Sequence, residues 1–116
     1  MLTALRKPAS HSSQEPRKVK KVTELVGETP LVEVRKITHS LSPGVRILAK
    51  LEGFNPGGSV KDRAALWMIQ DAIRTNKLRS DQIIIDSTSG NTGIAIAMIG
   101  AALGYRVRLV LPSNVS

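Results

Sequence analysis

The sequence contains no cysteine, which excludes a disulfide framework, a thiolate metal site and a cysteine nucleophile. Its two histidines, His11 and His39, are far apart, so a histidine metal site is not expected either. Aromatic residues make up only 3% of the chain, and Ile, Leu, Val and Ala must therefore fill the core. The longest apolar stretch, residues 94–103, is too short to cross a membrane. The 116 residues have a globular composition that is sufficient for one modest domain.

Acidic residues are also few, and the formal net charge is +8. Residues 1–21 contain six basic side chains and one acidic side chain, whereas the remaining residues have a net charge of only +3. No aromatic residues alternate with the basic ones, as they would in a single-strand binder. We therefore interpret residues 1–21 as a flexible basic extension and predict neither a nucleic-acid partner nor a membrane partner. The expected location is cytoplasmic, and an organelle-targeting role for residues 1–21 stays open.

Apolar segments and helical patterns alternate regularly from residue 45 onward. The pattern predicts strands at residues 45–51, 83–85 and 107–111, and helices at residues 60–75 and 92–103. This β-α-β-α-β order predicts an α/β fold with an open parallel sheet of three strands in a three-layer arrangement, connected by right-handed crossovers. We expect Trp67 to lie in the core and Asp86 to be a solvated strand end.

The first strand is joined to the first helix by residues 55–63, with the sequence NPGGSVKDR. Ser59 is the predicted N-cap, and Asp62 would complete a capping box. A lysine at a helix N-terminus lies in the positive field of the helix dipole, which suits an amine that must be neutral to attack a carbonyl. Lys61 is therefore the candidate nucleophile. The alternative is a solvent-facing lysine paired with Asp62 or Glu52, and this alternative stays open.

The second strand is joined to the second helix by a turn that is rich in hydroxyl, amide and N–H groups and has no acid. Its candidate binding residues are Thr88, Ser89, Gly90, Asn91 and Thr92. Such a turn suits a carboxylate or a phosphate, although an ordinary N-cap run would look similar. Both common nucleotide-binding fingerprints are absent from the sequence. Because the C-terminal ends of parallel strands meet at one edge, we expect Lys61 and this turn to face the same crevice.

Four motifs together resemble the N-terminal part of the cysteine synthases, or O-acetylserine sulfhydrylases. These are fold-type-II pyridoxal-phosphate enzymes, a group that also contains cystathionine β-synthase. The motifs are ETPLV at residues 28–32, NPGGSVKDR at 55–63, STSGNTGIA at 87–95 and LPSNVS at 111–116. The resemblance covers residues 22–116 and implies that this region has the fold of the N-terminal part of these enzymes.

The resemblance also implies roles for individual residues. Lys61 corresponds to the lysine that binds the cofactor, pyridoxal 5'-phosphate, as a Schiff base and later moves the α-proton. Asn91 corresponds to the asparagine that donates a hydrogen bond to the cofactor's ring oxygen, and residues 88–92 to the loop that closes on the substrate carboxylate. The implied reaction is β-replacement, in which sulfide converts O-acetylserine into L-cysteine.

A homodimer with an amino-acid substrate and sulfide is implied for the full-length family. In the family, the phosphate-binding loop and the residue that faces the pyridine nitrogen lie further along than Ser116. The resemblance therefore implies a truncated chain that is inactive by itself. A cystathionine β-synthase-like enzyme stays open, because its motifs are the same here. A non-catalytic truncated paralogue that pairs with a full-length partner also stays open.

Overall fold

The computed structural model describes residues 19–36 and 38–113. Its elements are α1 (Val22–Leu25), β1 (Leu31–Glu33), β2 (Leu48–Lys50), a 3₁₀ turn (Glu52–Phe54), α2 (Lys61–Arg74), β3 (Ile83–Ser87), α3 (Asn91–Ala102) and β4 (Arg106–Val110). No helix in this described part of the chain has both the length and the apolar character needed to cross a membrane. The predictions for residues 1–18 and 114–116 lie outside the described residues.

Strands β3 and β4 form a parallel pair in which Ile83 lies opposite Arg106 and Ser87 opposite Val110. Helix α3 connects them, which gives one β-α-β unit. This unit confirms the α/β class and the two later strands that the sequence predicts. Their observed ends differ from the predicted ends by one or two residues because alternation of apolar residues does not define where pairing stops.

The predicted first strand does not join this sheet. Only Leu48–Lys50 is extended, and it pairs antiparallel with β1, with Leu31 opposite Lys50. The predicted parallel sheet of three strands is therefore wrong for the described residues, whose parallel sheet has two strands. The apolar pattern of residues 45–51 fits a parallel or an antiparallel neighbour equally well, and β1 is the partner that pairs with it.

The core lies where α2 packs against α3 above the parallel strands. Its buried side chains are Ala65, Ile69, Ala95, Ile96 and Ile99. The predicted core position of Trp67 is wrong, because 73% of this residue is exposed. Met68 on the same helix and Val60 just before it are also exposed. Helix α2 carries apolar residues on two faces. The face with the small side chain of Ala65 is the one that packs against α3.

Two glycines allow α3 to lie very close to its neighbours. A Cβ atom at Gly100 would come within 3.0 Å of the Val107 side chain, and one at Gly93 would lie 2.7 Å from Thr88 Cγ2. Both contacts are tighter than a real Cβ atom tolerates. The position of α3 is thereby fixed against β4 and against the turn that precedes the helix.

Helix α3 ends at Ala102, and Gly104 closes it as the sequence predicts. This glycine has a φ of 83°, in the left-handed region that favours glycine. Its N–H donates to the Ala101 carbonyl at 3.1 Å, and the Tyr105 N–H donates to the Gly100 carbonyl at 2.8 Å. These two bonds form a Schellman motif, which satisfies carbonyls at the end of the helix before β4 begins.

Candidate active site

A glycine-containing turn places Lys61 at the first position of α2. Gly58 has a φ of 79°, and its N–H donates to the Asn55 carbonyl at 2.8 Å. Ser59 Oγ accepts the Lys61 N–H at 3.1 Å. Ser59 therefore satisfies one N–H of the first helical turn, as predicted, but it lies one residue before Val60, which is the N-cap.

Asp62 does not form the predicted capping box. It is fully buried, and its Oδ2 accepts the Gly57 N–H at 2.5 Å. Its other oxygen, Oδ1, has no hydrogen-bond partner among the described residues. A Cβ atom at Gly57 would come within 3.0 Å of Oδ1, so this turn needs glycine there. The carboxylate therefore holds the glycine turn against the start of α2.

The side chain of Lys61 is exposed. The ion pair proposed as its alternative role is wrong, because Asp62 points to Gly57 and Glu52 accepts a hydrogen bond from Arg63 at 2.8 Å. Among the described residues, no carboxylate forms a salt bridge with Lys61. Its amine is therefore accessible to a carbonyl compound from solvent.

Arg63 and four residues around it form a polar network, which we call the Arg63 cluster. They are Gly27, Thr29, Glu52, Asn55 and Arg63. The Arg63 guanidinium donates to both oxygens of Glu52, from Nε to Oε2 at 2.8 Å and from Nη2 to Oε1 at 2.9 Å. Nη2 also donates to the Gly27 carbonyl at 3.1 Å and to Thr29 Oγ1 at 3.3 Å. Arg63 therefore connects the start of α2 with the segment before β1.

Asn55 completes the Arg63 cluster from a buried position. Its Oδ1 accepts the Gly27 N–H at 2.8 Å, and its Nδ2 donates to Glu52 Oε2 at 2.7 Å and to the Glu52 carbonyl at 2.8 Å. Hydrogen bonds from Arg63, and secondarily from Asn55, lower the pKa of Glu52 from 4.5 to about 2, although burial opposes this shift. The hydrogen bond to Glu52 raises the pKa of Arg63. Sequence reasoning missed this cluster.

The turn between β3 and α3 lines an open cleft with a volume of about 200 Å³. Thr88, Ser89 and Gly90 line one side of this cleft, and apolar side chains that include Leu109 and Leu111 line the rest. The Gly90 N–H donates to Thr88 Oγ1 at 3.4 Å, so this hydroxyl faces the backbone of its own turn. The cleft thus combines hydroxyl groups and exposed backbone with an apolar wall.

Asn91 and Thr92 form the first turn of α3 and do not line that cleft. Asn91 is exposed, and Thr92 is partly buried. Of the candidate binding residues, three are therefore gathered around the cleft and two lie beside it on the helix. The predicted binding roles of all five stay predictions.

The buried positions of α2 and α3 have matching offsets from the two helix starts. Ala65 and Ile69 follow Lys61 by four and eight residues, and Ala95 and Ile99 follow Asn91 by the same numbers. All four buried side chains belong to one cluster. These offsets fit parallel and antiparallel neighbours equally well, so the shared crevice of Lys61 and residues 88–92 stays a prediction.

Comparison with known proteins gives consistent matches. A family model described as "Pyridoxal-phosphate dependent enzyme" matches residues 22–116. A cysteine synthase of Aquifex aeolicus is 55% identical over 96 residues, which are 82% of this chain and 29% of that protein. A cystathionine beta-synthase of Oryctolagus cuniculus is 42% identical over 111 residues, which are 94% of this chain and 20% of that protein.

A solved structure, that of a cysteine synthase (OASS) from Entamoeba histolytica, has the same fold over the matched region. It aligns with a TM-score of 0.78 and 45% sequence identity, and covers 95% of this chain and 33% of that one. The chain therefore spans a third or less of the length of each of these three relatives.

Proposed function

The chain belongs to the family of pyridoxal-phosphate dependent enzymes, and from this membership we propose that it carries the reactive lysine and the carboxylate-binding turn of a cysteine synthase-like enzyme. The proposed reaction is β-replacement: sulfide takes the place of the acetoxy group of O-acetylserine and yields L-cysteine and acetate. The observation that supports it most directly is the exposed amine of Lys61, which follows a glycine turn and forms no salt bridge with any described residue. This amine lies in a chain that is 55% identical to a cysteine synthase.

The residues that are present fit the cofactor of this family. The Lys61 amine is exposed and forms no salt bridge among the described residues, and the two residues Gly57 and Gly58 in the turn before it have no side chains. The first N–H groups of α3 and the hydroxyls before it suit an anionic group. When bound, pyridoxal phosphate supplies an electron sink for the substrate carbon that carries the amino group.

In this proposal each residue has a separate task. Lys61 holds the cofactor through Nζ and afterwards accepts and returns the α-proton at the same atom. Asn91 donates a hydrogen bond from its side-chain amide to the cofactor. Residues 88–92 bind the substrate carboxylate through hydroxyl and backbone N–H groups and so orient the amino acid.

A cystathionine β-synthase-like activity is the second candidate. It is favoured by the match to the Oryctolagus protein, which extends over 94% of this chain. The two candidates differ in the nucleophile, which would be sulfide in the first case and the thiol of homocysteine in the second. The residues on this chain serve either nucleophile, because both reactions begin with the same lysine and the same carboxylate contact.

A labelling experiment tests the role of Lys61. The purified chain is mixed with pyridoxal phosphate, reduced with borohydride and digested, and the labelled lysines are identified by mass spectrometry. We expect preferential labelling of Lys61 and a visible absorption band that Lys61→Ala abolishes. Lys77→Ala is the matched control, because Lys77 is an exposed lysine just beyond the other end of α2. Equal labelling of Lys61 and Lys77 in the wild-type chain would contradict the proposal.

A chimera tests the reaction. A polypeptide of these 116 residues is expected to bind the cofactor weakly and to turn over poorly by itself. The matching 96 residues of the Aquifex cysteine synthase are therefore replaced by those of this chain, and product formation is followed with sulfide or homocysteine. Cysteine formation that Lys61→Ala abolishes supports the first candidate. Preferential cystathionine formation would favour the second, and no product with either nucleophile would contradict both.

A further inference from the structure

The two residues that follow Lys61 point away from it into packed contacts. Lys61 itself is exposed, whereas Asp62 is fully buried and Arg63 is partly buried. Asp62 accepts the Gly57 N–H, and Arg63 makes its bonds to Glu52 and Gly27. Since Ser59 already accepts the Lys61 N–H at the helix start, these further polar contacts exceed what a helix start needs.

The Arg63 cluster joins three segments that are distant in the sequence. Gly27 is 28 residues from Asn55 and 36 residues from Arg63. Two members of the cluster also flank the Lys61 turn in the sequence, because Asn55 begins this turn and Arg63 lies two residues after Lys61 on α2. A buried or half-buried ion pair is weak evidence for stability, because well-packed apolar side chains often serve as well. Such a pair with three further hydrogen-bonded neighbours, Gly27, Thr29 and Asn55, is better suited to fixing backbone geometry.

We propose that the Arg63 cluster positions Lys61, with Arg63 and Glu52 locking the first turn of α2 against the Gly27–Thr29 segment so that the amine projects from a fixed backbone. This inference rests on the proposed role of Lys61. Arg63 and Glu52 are positioning residues in this arrangement, because they act through the backbone of Lys61 and touch no substrate.

A test of this proposal should alter the planar guanidinium group of Arg63. Its guanidinium makes four hydrogen bonds, two to Glu52 and two to the segment before β1. Arg63→Lys keeps the charge but cannot reproduce this fork. Arg74→Lys is the matched control, because Arg74 lies on the same helix and its pair with Asp71 is exposed, at 74% and 51% of the two side chains.

Two measurements on the whole chain test the proposal. Loss of a charge-assisted hydrogen bond should raise amide hydrogen exchange of Gly57, Gly58 and Lys61 about tenfold in Arg63→Lys. The ratio of Lys61 to Lys77 labelling by pyridoxal phosphate should fall by a similar factor. Exchange at Ile69 and Ile99 in the core should stay near the wild-type rate, and Arg74→Lys should change neither quantity.

Two results would overturn the proposal. One is faster exchange throughout α2 and α3, which indicates a general structural role. The other is an unchanged labelling ratio in a folded Arg63→Lys protein. If circular dichroism shows that this variant is unfolded, Glu52→Gln replaces it, because the amide keeps one acceptor for Arg63. Glu52→Gln should shift both quantities about threefold in the same direction, and no shift would again overturn the proposal.

The failure of the proposed function is distinguishable from the failure of this inference. If the wild-type chain labels Lys61 no more than Lys77, the cofactor role of Lys61 is wrong. Amide exchange needs no cofactor, and in that case it still reports whether the Arg63 cluster orders the Lys61 turn.

Discussion

Asp62, the residue after Lys61, accepts a hydrogen bond from the Gly57 N–H at 2.5 Å across the glycine turn. Because Asp62 is fully buried, its removal leaves an unfilled space and takes this acceptor away from the partly buried Gly57 N–H. We expect Asp62→Ala to lower the free energy of unfolding by about 2 kcal/mol. Urea denaturation measures this change. Asp71→Ala, which removes an exposed acid from the same helix, should stay within about 0.5 kcal/mol of wild type, and an equal loss in both variants would refute the structural role of Asp62.

The contact between Asp62 and Gly57 also predicts an effect of substituting Gly57. Gly57→Ala introduces a Cβ atom under 3.0 Å from the carboxylate of Asp62. The turn or the helix start must then shift, and we expect a loss of about 1–3 kcal/mol. Gly53→Ala is the control, because a Cβ atom there meets nothing within 4 Å and the φ of Gly53 is not positive. Thermal unfolding that shows equal midpoints for the two variants would contradict this geometry.

The Glu52–Arg63 pair predicts a dependence of stability on pH. The pKa of Glu52 is lowered from 4.5 to about 2 in the folded chain. The pair therefore stabilises the fold fully above pH 4.5, and this contribution is lost as the pH falls towards 2. Urea midpoints of wild type should decrease over this window more steeply than those of Glu52→Gln. Glu28→Gln, which changes an exposed acid, should follow the wild-type curve, and parallel curves for all three proteins would contradict the assigned shift.

The β3-α3-β4 unit was predictable because its signals are local. Ile83, Ile84 and Ile85 form a continuous apolar run, Gly104 marks the end of the helix, and the pattern then returns to a strand. Lys61 was placed correctly at a helix start for the same reason, since Ser59 and the preceding glycines indicate a turn followed by a helix. These predictions depend on residues within one turn of each other.

The features that could not be predicted depend on tertiary contacts. A serine followed three residues later by an acid gives the spacing of a capping box, but it does not specify where the Asp62 carboxylate points. The pairing of β2 with β1 joins residues that are far apart in the sequence, such as Val32 and Ala49, which are separated by 17 positions. The Arg63 cluster is similar, because Arg63 and Gly27 carry no signal of contact over 36 residues. The only sign of the Arg63 cluster in the sequence is that two short polar residues, Thr29 and Asn55, lie inside the motifs.

Helix α2 has two apolar faces, one with Trp67 and one with Ile69. Single substitutions show which of them contributes to stability. Trp67 is 73% exposed, whereas Ile69 is 5% exposed within the α2–α3 contact. Ile69→Ala should therefore lower the free energy of unfolding by about 3 kcal/mol, because it leaves a cavity in the core. Trp67→Ala should lower it by less than about 1 kcal/mol. Trp67 is the only tryptophan of the chain, so its fluorescence reports this site alone. We expect the emission maximum of a solvent-exposed tryptophan and full quenching by iodide. A blue-shifted emission that iodide does not quench would show that Trp67 is buried and would contradict its exposed position.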